Sequence, residues 1–126
     1  MPFKIITILS VSLTDCLVFA KLLNMIRKQK NFEEAKKVSE IFDCLSSTIR
    51  LLIVCSLIDG EKSVGEIVDI TGTTKGNISQ HLRILEDNDI ITGKKDGNRI
   101  FYSIKDKRIK ELIKRVKKLF CADIDL

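Results

Sequence analysis

A mainly α-helical fold carrying one small β-hairpin is what the sequence predicts, on three observations. Apolar residues recur at helical spacing in successive segments between residues 31 and 120. Two short β-prone runs, 90–95 and 99–104, flank Asp96-Gly97-Asn98, whose residue types tolerate positive φ. A chain of 126 residues with 44% hydrophobic content can bury one core and leaves no room for a second.

Residues 1–24 read as an apolar leader or a misassigned start, expected to be disordered or loosely docked, and residues 25–126 as the folded domain. Asp15 and Cys16 interrupt the apolar run, so a membrane anchor is disfavoured, and Met25 opens a plausible soluble beginning. Asn31 with Glu34 predicts a capping box starting a first helix, with Phe32, Ala35, Val38, Ile41, Phe42 and Leu45 as its apolar stripe. A second helix, from Ile49 to about Asp59, is apolar nearly all round and so belongs at the centre, with Gly60 ending it. Ser63 and Glu66 predict another capping box on a short third helix whose Val64, Ile67 and Ile70 face inward.

Gly72 breaks that helix and Thr74 caps a fourth, in which Ile78, Leu82 and Leu85 form a buried face. Its other face carries Thr74, Lys75, Asn77, Gln80 and Arg83, residue types that meet phosphates and base edges when a helix enters a major groove. The hairpin that follows carries Lys94, Lys95 and Arg99 toward its tip, as a wing reaching for backbone phosphates would. Asp106 caps a last helix to about Phe120, with Ile109, Leu112, Ile113, Val116 and Leu119 on one side and mostly lysines and arginines on the other. That stripe needs cover, either from the first helix in a dimer or from the core of its own subunit.

Net charge is +5 and the pI is near 9.1, which suits a polyanionic partner of modest demand. The four cysteines, Cys16, Cys44, Cys55 and Cys121, form no CxxC, and there is one histidine, His81. Neither a zinc ribbon nor a secreted disulfide scaffold fits, and reduced thiols in a cytoplasm are expected. No cofactor is implied, and an enzyme, such as a thiol oxidoreductase, would want an activated cysteine at a helix start.

The order of helices, helix-turn-helix, hairpin and last helix resembles the ArsR/SmtB family of winged helix-turn-helix repressors. The likeness is carried by LSSTIRLLIVCSLIDGEKSVGEI and TGTTKGNISQHLRILEDNDIITGKKDGNRIFYSI and spans roughly residues 31–121. The family's usual proline before Arg-Leu is Thr48 here. The resemblance implies a homodimer built through first and last helices, double-stranded operator DNA as partner, and release by an inducer. Where metal-sensing members carry Cys-Val-Cys, this chain has Ser63-Val64-Gly65, and no histidine follows Asp106 in the last helix. A site from Cys44, Cys55 and Cys121 would be unlike the family's common metal sites, so a metal-responsive repressor is the alternative reading.

Cys55 in RLLIVC and Cys121 in KKLFC resemble the paired cysteines of the thiol-switch branch typified by BigR, HlyU and SqrR. That resemblance implies bridging of the two thiols by an oxidant or a reactive sulfur species, with loss of operator affinity. Chemistry alone is less decided. An apolar helix raises the pKa of Cys55 and favours an inert core thiol, while Lys117 and Lys118 lie one turn before Cys121.

Overall fold

The computed structural model describes residues 13–121. The chain divides into two compact units, residues 1–40 and 41–126. Helix α1 (Leu13–Leu45) supplies the described part of the first and enters the second at Ile41. It runs through Asn31 without a break, so the expected capping box there does not exist and Asn31 and Glu34 are interior positions. Residues 13–24, expected as a loose leader, are helical too; residues 1–12 lie outside the described residues.

Helix α2 (Thr48–Ser56) is capped by Ser47, whose Oγ accepts the Arg50 N–H, and it buries Ile53, Val54 and Cys55. It stops three residues earlier than its apolar run suggests; Leu57 and Ile58 stay buried in the turn leading to Gly60. Strand β1 (Lys62–Ser63) leads into α3 (Val64–Thr71) through the predicted capping box. The Ser63 N–H donates to Glu66 Oε2 (2.7 Å) and the Glu66 N–H to Ser63 Oγ (3.3 Å), holding the Glu66 carboxyl below the usual carboxylate range. Replacing Ser63 by alanine is expected to cost about 1 kcal/mol of stability, read as a lower urea midpoint at unchanged m.

Ile70 is exposed, contrary to expectation. Counting at about 100° per residue, Ile67 and Val68 lie within about 60° of Val64, whereas Ile70 is about 120° away. The inward face is therefore Val64, Ile67 and Val68. Gly72 ends the helix in the left-handed region at φ 69° and donates its N–H to Val68 O.

Helix α4 (Lys75–Asp87) is seated by Ile78, Leu82 and Leu85, all essentially without solvent contact. Its end is a Schellman closure: Ile90 N–H donates to Leu85 O and Asp89 N–H to Glu86 O, with Asp89 at φ 58°. Ile90 and Ile91 then bury, which fixes where the hairpin leaves the helix.

Strands β2 (Ile91–Asp96) and β3 (Arg99–Ile104) pair antiparallel from Ile91 with Ile104 to Asp96 with Arg99. The loop is thus the two residues Gly97-Asn98, with positive φ at Gly97 only, as a type II′ turn requires. The sequence did not announce β1, which pairs Lys62 with Tyr102 and Ser63 with Phe101 to complete a sheet of order β1-β3-β2.

Helix α5 (Lys107–Phe120) is capped by Asp106, whose carboxylate accepts the Arg108 N–H at 2.9 Å. Its stripe divides. Ile109 and Ile113 bury in the subunit's own core, while Leu119 and Phe120 are 75% and 80% exposed.

Candidate DNA-reading surface and cysteine pair

The face of α4 opposite its buried residues is polar and open. Thr74 Oγ1 accepts the Asn77 N–H at 3.2 Å, so its hydroxyl is partly engaged as a cap. Asn77 Nδ2 donates to Thr73 Oγ1 at 2.9 Å, which orients the amide; Thr73 is a residue that sequence reading passed over. Lys75, Gln80 and Arg83 are exposed, and Lys94, Lys95 and Arg99 are exposed along the hairpin. A cleft of about 380 Å³ opens between the start of α4 and the hairpin, with Lys75, Ser79, Asn98, Arg99 and Tyr102 in its wall. The predicted cations of helix and wing are therefore brought to one concavity at Lys75 and Arg99, while Lys94 and Lys95 stand outside its lining. Gly93 leaves room for the Tyr102 ring across the strand pair, because a Cβ there would lie 2.9 Å from Tyr102 Cε1 and the ring would have to shift.

Arg50 locks this surface to the central helix. Its Nε donates to Cys44 O and its Nη1 lies 3.3 Å from His81 Nδ1. A guanidinium only donates, so His81 Nδ1 accepts. The histidine is thereby a structural tie between α2 and α4. Only an isolated cation within an apolar helix hinted at it.

Cys55 is 8% exposed, and Cys121, half-buried, follows α5 with its N–H donated to Lys117 O at 2.8 Å. Burial pushes the Cys55 thiol up; the Lys117 ammonium opposes that, and Cys121 adds to the rise. Both groups act on Cys55 electrostatically, and neither of the two cysteines nominated from the sequence is in a disulfide. Cys44 is also buried, its thiol raised by desolvation and eased by Arg50. Cys16 lies half-buried in α1. Among the described residues no three histidine, cysteine or acidic side chains gather as a metal site would require.

Residues 47–92 match the family described as bacterial regulatory protein, arsR family. Over 90 residues, 71% of this chain and 79% of the relative, the sequence is 31% identical to the biofilm growth-associated repressor of Xylella fastidiosa strain 9a5c. The structure of reduced HlyU from Vibrio cholerae N16961 superposes with a TM-score of 0.71 at 27% identity, covering 74% of this chain and 98% of that one. The transcriptional repressor BigR from Xylella fastidiosa gives 0.69 at 29% identity, covering 75% and 96%.

Proposed function

The chain belongs to the arsR family of bacterial regulatory proteins, and from that membership we propose a homodimeric repressor that reads operator DNA and lets go when Cys55 and Cys121 are joined. The observation that carries the reading half is α4 itself: a polar face open to solvent on a spine of buried Ile78, Leu82 and Leu85. In a dimer two such helices enter adjacent major grooves about 34 Å apart. Asn77 and Gln80 address base edges, and Thr74, Lys75 and Arg83 address phosphates. Lys94, Lys95 and Arg99 hold the backbone from the wing. The exposed Phe32, Val38 and Phe42 of α1 and Leu119 and Phe120 of α5 are apolar groups that a second subunit would cover.

The switching half is supported by the electrostatic influence of Cys121 on Cys55 and by relatives that include a repressor and a regulator solved as its reduced form. With a peroxide, one thiolate takes an oxygen to become a sulfenic acid and the other displaces hydroxide. With a persulfide donor, sulfur is transferred to one thiol and the other thiolate displaces hydrosulfide. Either route leaves a disulfide and removes two electrons and two protons from the pair. Joining α2 to the end of α5 alters how the subunits present their reading helices. A reducing cytoplasm would keep the resting state open.

The test of DNA reading is a salt titration of the reduced protein on its own upstream DNA. Lys75→Ala should weaken binding to every sequence alike and flatten the slope of log K against log salt by about one unit, while Gln80→Ala should cost ~1–3 kcal/mol of discrimination at one base pair. Binding to upstream DNA no tighter than to random DNA would overturn this reading.

A further inference from the structure

Helix α1 shows little overall amphipathicity because its two halves are amphipathic in different directions. Counting at about 100° per residue, Val18, Phe19, Leu22, Leu23, Met25 and Ile26 fall within an arc of about 160°. All six are between 47% and 65% exposed. Phe32, Ala35, Val38 and Phe42 fall within an arc of about 120° centred nearly opposite. One flat partner cannot cover both faces.

The charges separate the two halves further. Residues 32–40 mix signs, Glu33, Glu34 and Glu40 with Lys36 and Lys37, as a helix that pairs with another copy of itself can use. Between Cys16 and Phe32 there are four cations, Lys21, Arg27, Lys28 and Lys30, and no acid. Lys21, Arg27 and Lys28 lie outside the apolar arc, and Lys30 falls about 20° inside its rim. Two copies packed along this stretch would bring like charges together with nothing to pair them.

We propose that residues 18–30 of α1 form an interfacial helix that docks the protein reversibly on an anionic lipid surface. An apolar face wider than a coiled-coil seam, with most of its cations on the other side, lies in the headgroup plane with its lysines and arginines toward anionic lipid. Spanning is a different matter. No helix among the described residues is long and apolar enough to cross a membrane, and Lys21 and Asn24 interrupt this one. A single helix of this kind gives dissociable binding, so the same chain is free to exchange between lipid and DNA.

The chain contains no tryptophan, so Phe19→Trp in the full-length protein places a single reporter on the face. With vesicles of phosphatidylglycerol and phosphatidylcholine in equal parts, its emission should shift to the blue and the protein should float with the lipid. Partition onto pure phosphatidylcholine should be at least about tenfold weaker. Leu22→Glu with Ile26→Glu should abolish flotation while helicity and operator binding persist. Arg27→Gln with Lys28→Gln should remove the preference for anionic vesicles and leave the fold intact. Equal partition onto both vesicle types, or flotation unaffected by the two glutamates, overturns the proposal. So does a blue shift that grows with protein concentration in the absence of lipid, because another copy then covers the face.

Discussion

Replacing Leu85 by alanine should lower the unfolding free energy by roughly 2–5 kcal/mol. Leu85 has no solvent exposure, and its carbonyl also accepts the Ile90 N–H that turns the chain toward the wing. A cavity there removes packing from α4 and loosens the junction with β2 together. Since domains of this size are stable by only about 5–15 kcal/mol, the loss would leave a measurable unfolded fraction in mild urea. Leu119→Ala provides the contrast. Its side chain is 75% exposed, so the subunit's own packing should scarcely notice the change, whereas a dimer that uses it should dissociate at higher concentration. Urea unfolding followed by circular dichroism reads the first effect and sedimentation the second. A Leu85→Ala cost below about 1 kcal/mol would mean that α4 is not held where the buried face indicates.

The second large effect concerns the thiols. Cys55→Ser and Cys121→Ser should each prevent the internal bridge altogether, seen by mass spectrometry as failure to lose two hydrogens after treatment with an oxidant. The pH dependence follows from the direction of the Cys55 shift. Burial raises that thiol, so at neutral pH less of it is thiolate than for an ordinary cysteine, and bridging should be slow. The rate should climb with pH and keep climbing beyond about 8.5, where an ordinary thiol levels off. Lys117→Met removes the cation that opposes the rise and should move the profile to still higher pH. A profile that levels off near about 7 in the wild type would contradict the buried placement of the reacting sulfur.

Local chemistry is what the sequence exposes best. The caps at Ser63, Thr74 and Asp106 and the helix break at Gly72 are readable because each depends on residues within one turn of it. Ile78, Leu82 and Leu85 were readable from their period. Asn31 misled because a capping signature is satisfied only where the chain breaks; among good helix formers an interior asparagine costs less than about 1 kcal/mol, and α1 continues. β1 has two residues and no alternation, so it exists only through its pairing with Phe101 and Tyr102, far along the chain. The Arg50–His81 tie is hidden for the same reason. Of the candidate site, the residue types on α4 and the wing were legible, as was the family resemblance of Cys55 and Cys121. The cleft uniting Lys75 with Arg99, and the place of Lys117 beside the thiol, needed the fold.

If one covalent event at the cysteine pair controls DNA affinity, as proposed, the reduced and the bridged protein must differ in how tightly they hold operator DNA. Fluorescence anisotropy of labelled upstream DNA should therefore be measured with wild-type protein fully reduced and then fully bridged, each state verified by mass. Bridging should lower the affinity by about 5–150-fold, an effect recovered with reductant and absent in Cys55→Ser and Cys121→Ser. Equal affinity of the reduced and bridged protein, or release of both serine variants by the same treatment, would contradict it.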